Sequence, residues 1–274
     1  MIIVLYFKNN IYPFRLYHRF LIYMIFCLFF ITPALASQSP NTSSRPFDGE
    51  ILKFNMKFNG FSTANSIFHT ELSDSLFLKL NWDIRSKTVY KLFFYVNNQY
   101  FTFVDIKSWL PVKQFKKINQ KNITQSFETV FDRENLIAKT DNGLQWPIKK
   151  NCLDLLSMLY HIRTRELAPG DSLCYILDIE SHIWKITGIV HEGDKIEGSY
   201  QELKTLQIDF SFTPELPVIK RKWKTDLLTN RISRPNTKLT ICLGPPPESL
   251  PVFLKFETTE TSVEMLLDKY SLKK

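Results

Sequence analysis

Apolar and polar residues alternate with a period of two in many short segments of this chain. In the first segment, LKFNMKFN, the apolar residues Leu52, Phe54 and Met56 are each followed by lysine or asparagine. A period of two places successive side chains on opposite faces of a β-strand, so each segment predicts a strand with one apolar face. The apolar positions predicted to share a face are Leu52, Phe54, Met56 and Phe58; Leu76, Leu78, Leu80, Trp82 and Ile84; Ile123, Phe127 and Phe131; Leu173, Tyr175, Leu177 and Ile179; Leu206, Ile208, Phe210 and Phe212; Leu239, Ile241 and Leu243; and Val252, Leu254 and Phe256.

Turn-forming residues separate these segments at spacings of about ten residues. Asn59-Gly60 and Pro169-Gly170 are two examples. The segment YKLFFYV, residues 90–96, is apolar on both faces, and we interpret it as a strand of the same kind. Many short strands separated by turns predict a mainly β fold, either an antiparallel curved sheet or a partly open β-barrel.

One segment has helical periodicity. Residues 151–165 place apolar side chains at 152, 155, 156, 159 and 160, which is the i, i+3, i+4 spacing of an amphipathic helix. Asn151 is the predicted N-cap, Asp154 suits the first turn, and Arg163 suits the negative end of the helix dipole. We expect this main helix to cover the apolar face of the sheet or to plug the mouth of a barrel.

The N-terminus has the three parts of a secretory signal peptide. Three basic residues precede an apolar run from Phe20 to Ile31, and Ala34-Leu35-Ala36 supplies a small-x-small cleavage pattern. Residues 1–36 are therefore predicted to be a signal peptide, 37–46 a flexible polar tether, and 47–272 a single β-rich domain. This predicts a periplasmic or otherwise exported protein. The alternative is that the segment stays in place as an N-terminal membrane anchor.

Charge and cysteine content limit the classes of partner. The net charge is +8, and loss of the three basic residues before Ala36 leaves +5, a mild excess that suits a solvated surface or an anionic membrane face. Export argues against nucleic acid as a partner. Cys152, Cys174 and Cys242 follow the predicted cleavage site, and two interpretations stay open: one disulfide with one free thiol, or three small buried side chains.

The sequence contains no catalytic or cofactor motif. There is no GxSxG, P-loop or GxGxxG pattern, and no histidine has the spacing of a metal ligand. Cys152 and His161 lie too far apart along one helix to form a catalytic dyad. We therefore predict a protein that is not an enzyme, with no catalytic residues, no metal and no cofactor.

Three segments together resemble an exported bacterial family, domain of unknown function 3108. FDGEILKFNMKFNGFSTANSIF (47–68) resembles its opening, CLDLLSMLYHIRTRELAPGD (152–171) its central helix, and LTICLGPPPESLPVFLKFETTETSVEMLL (239–267) its closing hairpin. This chain departs from the family at Cys242, where a tryptophan is expected, and at the proline-rich turn that follows. The resemblance implies an exported, mostly β protein, similar at the level of fold to LolA-type lipoprotein carriers.

Two functions are predicted from these observations. The first is a cell-envelope protein that binds or carries an apolar, lipid-like ligand such as a lipoprotein acyl chain. The alternative is a structural or assembly protein of the envelope, with a solid core, that binds another protein or a surface polymer. The candidate ligand-binding residues are Phe54, Met56, Phe58, Trp82, Tyr160 and Arg163.

Polar residues near the helix have a second interpretation. Arg163 is either part of a polar rim for a ligand head group or a structural group that pairs with a carboxylate such as Asp171. Two basic clusters, residues 113–121 and 220–224, are candidates for peripheral contact with an anionic membrane, or are simply exposed hairpin ends.

Overall fold

The computed structural model describes residues 47–196, 203–216 and 226–273. The predictions for the signal peptide, the tether and the basic cluster 220–224 lie outside these residues. The described strands are β1 Glu50–Phe58, β2 Phe61–Leu72, β3 Phe77–Ser86, β4 Asn97–Asp105, β5 Pro111–Gln120, β6 Ile123–Asp132, β7 Ile137–Thr140, β8 Gln145–Pro147, β9 Cys152–Leu153, β10 Ser172–Ile179, β11 His182–Ile196, β12 Leu203–Pro214, β13 Lys238–Leu243, β14 Pro251–Glu257 and β15 Ser262–Leu272. The helices are α1 Leu155–Arg163 and α2 Leu227–Ile232, with a 3-10 turn at Thr88–Tyr90.

The strands form one sheet in the order β8-β7-β6-β5-β4-β3-β2-β1-β15-β14-β13-β12-β11-β10-β9. The first and last strands pair in the middle of the sheet, and β8 and β9, which are consecutive in the chain, lie at its two edges. All pairings are antiparallel except that of β9 with β10, which is parallel. The predicted mainly β, antiparallel and partly open architecture is confirmed.

The two edges of the sheet meet at a seam. Trp146 of β8 donates its indole Nε1 hydrogen to Asp178 Oδ2 of β10 at 2.8 Å. A separate apolar cluster packs along this seam; its buried members are Phe131, Ala138, Trp146, Ile148, Cys152 and Ile183. Side-chain contacts therefore connect the edges where the backbone ladder is interrupted.

The period-two prediction identifies the inward faces with two exceptions. Leu52, Phe54 and Met56 are buried and Lys53 is exposed, as the alternation requires. Leu76 is wrongly predicted, because it lies in the turn before β3 and is exposed.

The segment 90–96 is also wrongly predicted, because it is not a strand. It belongs to the connection between β3 and β4, where the amides of Phe93 and Phe94 bond to the carbonyl of Tyr90 at 3.1 and 2.7 Å. These short-range bonds form a turn, which leaves Leu92 and Phe93 exposed. Apolar composition on both faces therefore does not indicate a buried strand here.

Helix α1 is shorter than the predicted 151–165. The preceding residues Cys152 and Leu153 form β9, so the N-cap is Asp154 and the predicted cap at Asn151 is wrong. Asp154 Oδ1 accepts from the Ser157 amide at 2.7 Å, and Ser157 Oγ accepts from the Asp154 amide at 2.9 Å. This reciprocal capping satisfies two otherwise unpaired donors at the helix start.

The three cysteines of the described residues are free thiols. Cys152 and Cys242 are buried, whereas Cys174 is exposed. There is therefore no disulfide among the three, and they are not all buried side chains. Burial, followed by the nearby Asp209, raises the pKa of Cys242 to about 11, so this thiol stays protonated at neutral pH. Among the described residues, no helix combines the length and the hydropathy that a membrane span requires.

Substitution of an interior phenylalanine tests the inward face of β1. Phe54 is buried and its ring packs edge-on against Phe68 at 5.2 Å. We expect Phe54→Ala to lower the free energy of unfolding by about 3–5 kcal/mol, because it leaves a cavity in a packed core. Phe61→Ala, at an exposed position, should change it by less than about 0.5 kcal/mol. Urea denaturation compares them, and equal losses would contradict the assigned faces.

Candidate apolar site beneath helix α1

A wholly apolar cavity lies between α1 and the sheet. Four α1 side chains, those of Leu155, Leu156, Met158 and Leu159, form one wall, and Trp82 of β3 belongs to the opposite wall. Strands β2, β13, β14 and β15 contribute the remaining apolar side chains. The indole nitrogen of Trp82 is directed away from this apolar lining and donates to Ser66 Oγ at 2.7 Å.

The cavity is small. The cavity volume is about 20 Å³, which is room for about one water-sized sphere. An apolar cavity of this kind stays dry because a water molecule finds no hydrogen-bond partners in it. The interior is therefore nearly filled, and an acyl chain requires α1 to move outward before it can enter.

The structure divides the six candidate ligand-binding residues among three places. Trp82 is on the cavity wall. Phe54 and Met56 are buried in the core beside the cavity, and Phe54 touches the wall residue Phe68. Phe58 is half-buried near the end of β1, where its ring lies 5.2 Å from that of Phe94.

The last two candidates, Tyr160 and Arg163, lie at the C-terminal end of α1. The guanidinium of Arg163 is fully buried and forms two hydrogen bonds, of 2.6 and 2.7 Å, to the carboxylate of Glu50. It also donates to the carbonyl oxygens of Glu248 and Ser249, both at 3.2 Å. Phe47 covers it, with the ring centre 4.2 Å from the guanidinium carbon.

Arg163 does pair with a carboxylate, but the partner is Glu50, and Asp171, given as the example, is wrong. Asp171 Oδ2 instead accepts from the Ala168 amide at 2.9 Å within its own turn. The ring of Tyr160 packs against the Arg163 guanidinium at 5.0 Å. Burial, followed by the negative charge of Glu50, raises the pKa of Tyr160 well above its ordinary value, so the phenol stays neutral.

A second buried polar cluster was not predicted from the sequence. The sequence predicts that Lys116 is exposed within the basic cluster 113–121, but Lys116 is buried and its Nζ lies 2.7 Å from Glu180 Oε1. Thr229 of α2 also donates to Glu180, at 2.6 Å. The alternation of residues along β5 indicates this burial, because Lys116 lies on the same strand face as the buried Ile118.

Asp226, the N-cap of α2, completes this cluster. Its Oδ1 accepts from the Leu228 amide at 2.9 Å and from Gln120 Nε2 at 2.7 Å. Tyr100 of β4 donates its hydroxyl to Asp226 Oδ2. These contacts attach α2 to the inner face of β4 and β5.

Two carboxyl groups share one lysine in this cluster, and the pKa values reflect that imbalance. Burial, followed by the charge of Glu180, raises the pKa of Asp226. Burial alone would lower the pKa of Lys116, but the charge of Glu180 and its hydrogen bond outweigh burial and raise it. Asp226 therefore holds a proton to higher pH than an exposed aspartate, while Lys116 stays charged.

The fold and the cavity define a class: a β-barrel-like protein whose interior is covered by one helix. No curated protein matches the sequence significantly. The chain belongs to the family described as protein of unknown function DUF3108, whose profile matches residues 53–268, and the predicted resemblance to this family is confirmed. The similarity to LolA-type carriers stays a prediction.

One solved structure supports the same fold. The crystal structure of a β-barrel-like protein of domain of unknown function DUF1849 from Brucella abortus is similar, with a TM-score of 0.58 and 8% sequence identity. The likeness covers 83% of this chain and 99% of that one. At this level of identity it shows the fold alone.

The buried ion pair can be tested by a double-mutant cycle. Arg163→Met leaves Glu50 buried without its counter-charge, so we expect a loss of about 3–5 kcal/mol in the free energy of unfolding. The double variant Glu50→Leu with Arg163→Met removes both charges and should recover most of that loss. Urea denaturation of the four proteins gives the coupling, and strictly additive losses would contradict the pairing.

The raised pKa of Asp226 predicts a pH dependence of stability. The folded state holds this proton to higher pH than the unfolded chain, so the contribution of Asp226 is fully present below the unfolded pKa, about 4, and is lost as pH rises through the folded pKa. We expect Asp226→Asn to gain stability relative to the parent protein as pH rises from about 4 to 7. Urea denaturation across this range measures the difference.

Asp132→Asn is the matched control for this measurement. A hydrogen bond from Asn135 lowers the pKa of Asp132, so its contribution is present at higher pH and lost as pH falls. Because that loss falls below the ordinary aspartate pKa of about 4, the control should show no slope between pH 4 and 7. Parallel slopes in the two variants would contradict the assignment of Asp226.

Proposed function

We propose that this protein is a non-enzymatic binding protein of the cell envelope, and that it binds an apolar, lipid-like chain beneath α1. The observation that carries the proposal is the cavity, because every side chain that lines it is apolar and one whole wall is a single helix. Apolar pockets covered by a movable element are a common form of ligand site.

The contacts of α1 support a role as a cover. Polar contacts hold the helix at its two ends: Asp154 accepts from Gln114 Nε2 at 2.8 Å, and Arg163 pairs with Glu50. Between these ends, the side chains over the cavity make only apolar contacts. A guest chain can replace those contacts with equivalent ones, at about 0.8 kcal/mol for each methylene group that it buries.

The chemistry of the described ionisable groups supports a binding role more than a catalytic one. Burial, followed by Asp178, raises the pKa of Cys152 far above its ordinary value, which makes the thiol a poor nucleophile. The carboxyl groups of Glu50 and Asp226 are occupied by hydrogen bonds within the fold. The predicted signal peptide places such a protein among envelope lipids and lipoprotein acyl chains.

The second candidate is a structural or assembly protein with a solid core. The specific observation in its favour is the small cavity volume, about 20 Å³. In this case the interior serves stability alone, and binding takes place on the outer surface.

Native mass spectrometry of protein purified from its host, without detergent, distinguishes the two candidates. We expect co-purified lipid on the parent protein, and at least about tenfold less on Leu159→Phe, whose larger side chain fills the cavity. Leu76→Phe, at an exposed position, is the control and should retain the lipid. Thermal melting verifies that both variants are folded.

The opposite result is equally informative. A parent protein without bound lipid, whose melting temperature does not respond to added fatty acid or phospholipid, would contradict the carrier proposal. That result would favour the solid-core candidate.

A further inference from the structure

Four exposed apolar side chains project from one end of the sheet. Phe61 is 66% exposed, Val89 81%, Leu92 80% and Phe93 78%. We call these four residues the apolar tip. Side chains of this size are normally buried, and a group of them marks a surface that contacts something other than water.

The topology brings the members of the tip together. The turns after β1, β3 and β5 lie at the same end of an antiparallel meander. Phe61 begins β2, directly after the first of these turns, and the other three residues lie in the connection between β3 and β4. Two contacts hold these loops side by side: the Lys87 amide donates to the Thr63 carbonyl at 2.9 Å, and the rings of Phe58 and Phe94 are 5.2 Å apart.

The loops under the tip carry only positive charge. The chain has no acidic residue in the ranges 51–70, 84–99 and 106–127, which contain these three turns. Within the described part of the chain, Arg85, Lys91 and Lys121 are exposed and form no ion pair.

Two acidic residues at the same end are paired within the fold. Glu260, in the turn before β15, pairs with Arg234 at 3.0 Å. Glu180 is buried against Lys116. The loops that carry the tip therefore present positive charge without a compensating acidic residue of their own.

We propose that the apolar tip docks on a lipid bilayer that carries anionic head groups. Leucine, valine and phenylalanine side chains enter the interfacial region of the bilayer, and the surrounding arginine and lysine side chains contact the negatively charged head groups. An acidic protein partner would need apolar pockets matched to four protruding side chains, whereas a bilayer receives them without a matching shape. The proposal is independent of ligand binding beneath α1, because the tip and the cavity share no residue.

Vesicle binding tests the proposal on the protein in the form that its host produces. We expect co-sedimentation with vesicles of phosphatidylethanolamine and phosphatidylglycerol to be stronger than with phosphatidylcholine alone, and to weaken as salt rises. The double variant Leu92→Ser with Phe93→Ser should bind the anionic vesicles with an affinity at least about tenfold lower than that of the parent protein. Leu76→Ser, at an exposed position near the opposite end, is the matched control and should bind like the parent protein.

A fluorophore attached at the tip reports contact at that position alone. In a Cys174→Ser background, an environment-sensitive dye on Leu92→Cys should shift to the blue when anionic vesicles are added, and the same dye on Leu76→Cys should not. Circular dichroism and thermal melting verify that the variants are folded, which is expected because all the changed residues are exposed.

Two results would overturn the proposal. The first is vesicle binding that is the same in the parent protein and the tip variant, with no blue shift at Leu92→Cys. The second is a tip variant that changes the monomer–dimer equilibrium of the protein while no variant binds vesicles, since that result assigns the tip to contact between two copies of the chain. Neither result decides whether lipid co-purifies with the parent protein and is lost from Leu159→Phe, so the two proposals fail separately.

Discussion

The buried ion pair between Glu50 and Arg163 joins parts of the chain that are far apart in sequence. Glu50 begins β1, Arg163 ends α1, and the guanidinium also binds the carbonyls of Glu248 and Ser249 in the turn between β13 and β14. A buried charge is costly unless it is paired and hydrogen-bonded, so all of these groups must reach their positions together. The register of β1 and the end of the covering helix are thereby linked.

A second polar cluster closes the opposite end of the sheet. Lys116, Glu180 and Asp226 connect β5, the turn after β10 and the start of α2. Between the two polar ends lies the apolar interior, which is held by non-directional contacts. Directional hydrogen bonds therefore set the geometry of the two ends, while apolar packing fills the middle. This division suits a cover that stays attached at its ends while an apolar guest enters beneath it.

The two proposed surfaces follow from different physical requirements. The interior site needs apolar side chains that water never reaches, and the cavity beneath α1 meets that requirement in small volume. The tip needs apolar side chains held in water, and the hydrogen bonds to the Tyr90 carbonyl form the turn that presents Leu92 and Phe93. A protein at a lipid surface can use both, the tip to approach the bilayer and the interior to hold a chain from it.

The alternation of residues in the sequence by itself predicted seven of the described strands with their inward faces, and the presence of one covering helix, because side-chain direction repeats every two residues in a strand and every 3.6 in a helix. It could not determine that residues 91–93 form an exposed turn, because apolar composition is the same in a buried strand and in an exposed loop. Nor could it determine that Arg163 pairs with Glu50, 113 residues away in the chain, or that Lys116 is buried. Only the tertiary structure decided these contacts. A buried charge meets its counter-charge when distant strands come together in the sheet, and the local sequence does not specify which distant strand will lie beside it.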